Sequence, residues 1–336
     1  MKAEFKTRSP VGERIDLSKA IPIISPLTVQ VEVASVCNLR CVFCPTGDPK
    51  LSKSTGKFRG LMALEIFEKI IQDINEFPVP ISTLHLHKDG EPLVHPEFCD
   101  MVSIARRSNK IKKIETLTNG VLLTPELNER LANSGLDRIK ISVYGLDDHS
   151  FKEVTRENVD FDRYVNNIAD LYNRSRRTDT EIYIKIMEGG LSLEKKALFL
   201  DTFGDISDTI FFEHCVDNWP GFKFEAAMTE VNVGILGQSV NQYKKVCPQP
   251  FYNLTVNSDG QVSACCADWE VRLVVGNVFA STLSEIWNGK LFNDFRLMML
   301  KGERESHPVC ANCGYPTFTC VDDFDDAAEE IIKRLK

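Results

Sequence analysis

Three cysteines, Cys37, Cys41 and Cys44, fall within EVASVCNLRCVFCPTG at 32–47. Thiolates bind soft metals, and a structural zinc site closes with four such ligands. A cubane iron–sulfur cluster also normally takes four cysteines. Three would leave one iron open to a small-molecule ligand. On spacing alone, a zinc site completed by a distant residue such as His85 or His95 is the alternative. A second set, Cys247, Cys265, Cys310 and Cys313, offers four thiols, enough to close a metal centre as zinc or as a cluster.

The elements that must position these thiols show in the pattern around them. TVQVEV (28–33), TLHLH (83–87), KIETLT (113–118), RIKISVY (138–144), EIYIKIM (181–187) and TIFFEHC (209–215) read as strands. Amphipathic helices alternate with them. In LEIFEKIIQDI, Ile66, Phe67, Ile70, Ile71 and Ile74 share one face, while TPELNERLANSG carries a threonine cap, Pro125 and a terminal glycine. Such alternation implies parallel strands with helical crossovers, in an open sheet or a barrel. Strands buried on both faces would be apolar throughout. Here one face is polar in every strand: Gln30 and Glu32, His85 and His87, Thr116 and Thr118, Lys140 and Ser142, Tyr183 and Lys185, Glu213 and Cys215. A partial barrel with a polar lumen fits that pattern, with the three-cysteine loop at the carboxyl edge, where such folds bind ligands.

The expected division is an extension over 1–26, a partial barrel over 27–215, a connection over 216–246, a small α+β domain over 247–320 and a helical tail over 321–336. FYNLTVNSDGQVSAC predicts a hairpin turning at NSDG, and TLSEIWNGKLFNDFRLMMLKG predicts one helix. Eleven cysteines, an odd number without a signal-peptide pattern, argue for metal or redox chemistry over a disulfide framework. The net charge of −8 and the lack of a basic tract exclude a nucleic-acid binder. No apolar run of about 18 residues predicts a membrane span. A cytoplasmic location is expected.

The order C-x3-C-x-aromatic-C, with Phe43 before the third cysteine, resembles the signature of the radical S-adenosylmethionine (SAM) enzymes. The resemblance implies a TIM-like partial (β/α)6 barrel and a [4Fe–4S] cluster whose open iron chelates the amino and carboxylate groups of SAM. It also implies a reducing partner such as flavodoxin or ferredoxin, and reductive cleavage to a 5′-deoxyadenosyl radical that removes a substrate hydrogen. KDGEPL places Asp89, Gly90 and Glu91 at the family's Gly-Gly-Glu turn, whose backbone receives the SAM amino group. Asp89 departs from the usual glycine, so that role requires a backbone without positive φ, or one that aspartate tolerates. By the same resemblance Thr118 and Asn119 sit at ribose or carboxylate contacts, Ser142 at a ribose contact, and Arg156 is a candidate for the SAM carboxylate.

The second cysteine set resembles the Twitch form of the SPASM extension, which carries one auxiliary [4Fe–4S] cluster. Cys265 and Cys266 are adjacent, and adjacent strand side chains point oppositely, so one should face the cluster. Cys265 is the choice. A fully ligated cluster suits electron transfer, and the cysteine spacing resembles that of radical SAM dehydrogenases acting on aminocyclitol alcohols. The implied reaction is oxidation of a sugar- or cyclitol-like small molecule, with His87, Lys185 and Glu213 as possible bases. An epimerase using Cys215 as hydrogen donor is the alternative. Peptide modification is disfavoured by the short segment before the barrel, and a non-enzymatic metal-stabilised module is the outsider. Cys99 is expected in the core. The loop PTGDPKLSKSTGKFRG, with Lys50, Lys53, Lys57 and Arg59, is expected over the cavity mouth, where it could hold a phosphate group.

Overall fold

A computed structural model describes residues 1–7, 15–223, 232–240 and 243–335. Parts of the expected extension (1–26) and connection (216–246) therefore lie outside the described residues.

The six expected strands form and lie side by side in parallel. They are β2 (Thr28–Val31), β3 (Ile81–His85), β4 (Ile111–Thr118), β5 (Arg138–Val143), β6 (Glu181–Met187) and β7 (Thr209–Glu213). Their alternation sorts the two faces. Val29, Val31, Ile139, Ile141, Ile182 and Ile184 are fully buried in the core, each contributing about 1.5–3 kcal/mol relative to exposure. Helix Leu64–Asn75 supplies Phe67, Ile70, Ile71 and Ile74 to that core. Helix Pro125–Asn133 is capped by Thr124, whose side chain accepts from the Leu127 N–H, and the chain turns away at Gly135 with φ 97°. Cys99 is buried there too, as expected.

Both edges of the sheet carry strands that patterning did not predict or place. Two residues of the N-terminal segment form β1 (Glu4–Phe5), parallel to β7. At the other edge β8 (Asn253–Val256) pairs in parallel with β2, followed antiparallel by β9 (Gln261–Ser263) and β10 (Val274–Asn277). The described residues thus form one ten-stranded sheet, running unbroken from the barrel strands into the C-terminal segment. The β8–β9 hairpin turns at the expected NSDG, with Gly260 at φ 82°.

Two expectations are corrected. The single helix over 282–302 is two, Leu283–Trp287 and Lys290–Leu300, broken at Asn288 and Gly289. A Cβ at 289 would lie 2.8 Å from the Glu285 carbonyl oxygen, so the close return there needs glycine. His87 and Cys215 lie two residues beyond the ends of β3 and β7 rather than within them. Among the described residues no helix is long and apolar enough to cross a membrane.

Candidate active site

The loop after β2 is built around its thiols. Arg40 and Val42 donate backbone N–H groups to Thr155 and Val154 carbonyls, each at 3.0 Å, docking the loop on the end of helix Asp148–Thr155. The Leu39 N–H donates to Cys37 Sγ at 3.4 Å, and the Asn119 side-chain amide lies 3.8 Å from the same sulfur. Cys44 Sγ is 3.0 Å from the Thr46 hydroxyl. Burial pushes the Cys37 thiol up to about 12 and raises Cys41 and Cys44 as well. Cys41 is buried, Cys44 half-buried and Cys37 exposed as a residue; thiols raised in this way become thiolates only against a compensating cation, which a bound metal supplies. The three sulfurs line one cavity and suit a cluster with one open iron.

That cavity, of about 280 Å³, opens at the carboxyl ends of β4 to β7. Phe43, His87, Asp89, Gly90, Glu91, Thr118, Asn119, Ser142, Lys185, Glu213 and Cys215 all border it. The turn 89–91 is held against the strand leading to Cys37. The Glu91 N–H donates to the Val36 carbonyl at 2.9 Å, and a Cβ on Gly90 would meet the Ala34 carbonyl oxygen at 2.2 Å. Asp89 has no positive φ, so its replacement of the usual glycine leaves the backbone turn intact. The Glu91 carboxylate accepts from the Thr118 hydroxyl (2.6 Å) and from the Asn119 and Leu93 N–H groups (2.7 and 3.0 Å). Burial nevertheless pushes Glu91 up to about 7. The Asn119 amide donates to Asn38 at 2.8 Å. Thr118 and Asn119 therefore tie the end of β4 to the turn and to the cysteine loop. Arg156 is exposed at φ 60°, beside that loop but off the cavity wall.

The lumen is polar, as its alternation predicted. Glu213 is ion-paired with Lys185, and Glu115 with Lys140 (2.9 Å) and Arg138 (3.5 Å). A second chamber of about 570 Å³ reaches toward the amino ends of the strands, past His85, Glu115, Arg138 and Lys140. The loop at 45–60 departs from expectation. None of its residues after Cys44 borders either chamber, and Lys57 is buried. Its ammonium pairs with Asp89 (2.9 Å) and Glu32 (3.3 Å), while Arg59 bonds the Ser52 hydroxyl. Lys88 reaches Asp89 at 2.7 Å and the Asp268 carbonyl at 3.0 Å. Burial would raise the Asp89 carboxyl, but Lys88 and Lys57 hold it at about 2. Ser258 completes this staple through its hydroxyl, 2.7 Å from the Glu32 carbonyl. Sequence reasoning gives Lys57 another role and passes over Lys88, because a lysine in a polar loop carries no pattern distinguishing a buried ion pair from a solvated one.

The four later thiols share one cavity: Cys247, Cys265, Cys310 and Cys313 border it together with Arg304 and Tyr315. Cys266 borders the polar chamber instead, with its sulfur 3.4 Å from the Tyr315 hydroxyl and 3.7 Å from the Gln249 side chain, while its thiol also meets that of Cys265. Cys320 faces that same chamber. Among the described residues Tyr315 alone borders this thiol cavity and both chambers.

Residues 31–188 match the radical SAM superfamily, and residues 247–314 match SPASM, an iron–sulfur cluster-binding domain. The chain belongs to the radical SAM superfamily. As in that superfamily, its parallel α/β sheet carries the SPASM domain C-terminally, and its domains imply [4Fe–4S] chemistry with SAM. Over 297 residues it is 21% identical to the S-adenosyl-L-methionine-dependent 2-deoxy-scyllo-inosamine dehydrogenase of Niallia circulans, spanning 88% of this chain and 96% of that one. Its fold is similar to BtrN in complex with AdoMet and 2-DOIA, with TM-score 0.56 and 18% identity over 89% of this chain and 97% of that one. It is also similar to Streptococcus suis SuiB bound to precursor peptide SuiA, with TM-score 0.60 and 16% identity over 92% and 74% of the two chains.

Proposed function

We propose that this radical SAM enzyme dehydrogenates a polar, cyclitol-like alcohol and passes the second electron to an auxiliary [4Fe–4S] cluster held by Cys247, Cys265, Cys310 and Cys313. The observation that carries the reading is that those four thiols border one cavity, with Tyr315 bordering both it and the reaction cavity. Four protein ligands leave no iron for substrate, so such a centre is suited to accepting electrons. The ion-paired Lys185 and Glu213 on the cavity wall and the name of the Niallia circulans relative favour a small hydroxylated substrate over an apolar one.

When bound at Cys37, Cys41 and Cys44, the reduced cluster with SAM supplies a carbon radical able to take a hydrogen atom from an unactivated C–H bond. The chain's own residues do the rest. The backbone of Asp89, Gly90 and Glu91 presents the turn for the SAM amino group, and Ser142 is placed at the ribose. Glu213, held by Lys185, offers a carboxylate oxygen to a substrate hydroxyl proton, with His87 on the opposite wall as the second candidate base. Arg156, lying beside the cysteine loop, reaches the SAM carboxylate only by leaving its solvent-facing position. A flavodoxin- or ferredoxin-class protein would deliver the reducing electron.

One observation favours a second reading. Cys215 is 2% exposed yet borders the reaction cavity, where a thiol could return a hydrogen atom to the opposite face of a substrate radical. The test is to incubate the reconstituted enzyme with SAM, a reductant and 2-deoxy-scyllo-inosamine in deuterated water. Dehydrogenation yields one amino ketone per 5′-deoxyadenosine. Epimerisation instead yields an unoxidised product carrying one solvent deuterium on carbon.

A further inference from the structure

Arg304 sits where no surface role is open to it. It belongs to the short turn Glu303–Ser306 and is 1% exposed. Its Nη1 donates to the carbonyls of Cys310 (3.1 Å) and Cys313 (2.9 Å), and its Nη2 to the carbonyl of Lys244 (3.0 Å). Its guanidinium lies 4.4 Å from the centre of the Tyr243 ring. Among the described residues no carboxylate pairs with it, and its buried Nε–H has no acceptor. The same side chain shares its cavity with Cys247, Cys265, Cys310 and Cys313.

A buried cation without a partner costs several kcal/mol, and an unmet donor adds to that cost. Arg296, also buried, shows another solution: it packs into the corner of the edge-to-face pair Trp287 (4.0 Å) and Phe292 (4.1 Å) and does not border the thiol cavity. Arg304 has one ring, three carbonyls that bear no net charge, and four thiols. Four thiolates around a 2+ cubane core carry two net negative charges.

We propose that Arg304 is a positioning residue of the auxiliary centre, its guanidinium serving as counter-charge to the ligated cluster and its Nε–H donating to a cluster or thiolate sulfur. This rests on the auxiliary-cluster reading above. The consequence is a tuned potential. Reduction adds one electron and raises the net negative charge from two to three, and a fixed cation in a low-dielectric site stabilises the more negative state. Charge and hydrogen bonds at the sulfurs are levers that set cluster potentials. Arg304 therefore makes the centre a better electron acceptor, which a dehydrogenase needs.

The test uses the full chain with Cys37, Cys41 and Cys44 changed to alanine, so that only auxiliary iron remains. Iron, sulfide and zinc are measured, and the midpoint potential is read by EPR during dithionite titration. Arg304 is compared with Arg304→Gln and Arg304→Lys. The Gln variant should lower the equilibrium constant for reduction at least tenfold, about 59 mV for one electron, and the Lys variant should recover most of that. Iron lost from Gln but kept by Lys supports the same claim. An unchanged potential in the Gln variant overturns the role of Arg304 and leaves the cluster intact. Iron lost from both variants assigns Arg304 to the scaffold and overturns the electrostatic claim. Zinc, or no metal, in the protein retaining Arg304 overturns the auxiliary cluster and this inference together.

Discussion

Gly90→Ala is the sharpest perturbation of the turn at 89–91, proposed to receive SAM. The added Cβ would lie 2.2 Å from the Ala34 carbonyl oxygen and 2.6 Å from that of Val36. Carbon–oxygen contacts close to about 3.3 Å, so one backbone must retreat by about 1 Å. Neither can do so cheaply. The Glu91 N–H bond to Val36, now 2.9 Å, would stretch, and the carboxylate holding Thr118 and Asn119 would follow. Overpacking costs about 1–3 kcal/mol and a lost backbone bond about 1 more, for a total of about 2–4 kcal/mol. Urea unfolding of the reconstituted protein should register that loss. SAM affinity, measured by equilibrium binding, should weaken at least tenfold, since each 1.4 kcal/mol or so is a factor of ten. Iron held by the later cysteines should be retained. Unchanged stability and SAM affinity in Gly90→Ala would refute the reasoning that this close approach sets the site.

Cys265→Ala should cost about four irons per chain while Cys266→Ala keeps them, because the two side chains face different chambers. Reversed counts in metal analysis would make Cys266 the ligand. Asp89→Asn leaves Lys57 and Lys88 buried without their shared carboxylate, which should destabilise the protein by about 3–5 kcal/mol in urea melts. Asp89 at about 2 and Glu115 at about 2 both lie below their ordinary values. Their stabilisation is therefore present above about pH 4.5 and lost as pH falls toward 2. Circular dichroism of the metal-free protein should show that acid transition, shallower in Asp89→Asn, and stability unchanged between about pH 4.5 and 2 would contradict the assignment. Cys215→Ala should leave dehydrogenation intact. Continued 5′-deoxyadenosine release without product from that variant would instead favour the epimerase.

The barrel was legible because a two-residue period carries its own geometry: Val29 and Val31 had to face the helices, so Gln30 and His85 had to face the lumen. Spacing singles out the two thiol sets, and alternation says that only one of Cys265 and Cys266 faces a shared centre, without saying which. What stayed hidden depends on tertiary partners. Two residues at Glu4 and Phe5 form a strand only because β7 offers an open edge, and β8 continues the sheet only because β2 does. Lys57 looked like a phosphate-binding lysine because nothing local reveals that Glu32 and Asp89 lie beside it. Arg304 stands in a polar run, GERES, whose burial follows from the carbonyls of Cys310 and Cys313 folding over it.

The central claim is that Cys37, Cys41 and Cys44 hold the cluster that cleaves SAM. The most direct measurement is 5′-deoxyadenosine formation by anaerobically reconstituted, dithionite-reduced protein, compared with Cys41→Ala prepared identically. The account predicts release of 5′-deoxyadenosine and methionine by the parent chain and none by the variant. Equal release from both, or none from a parent chain loaded with about eight irons, would contradict it.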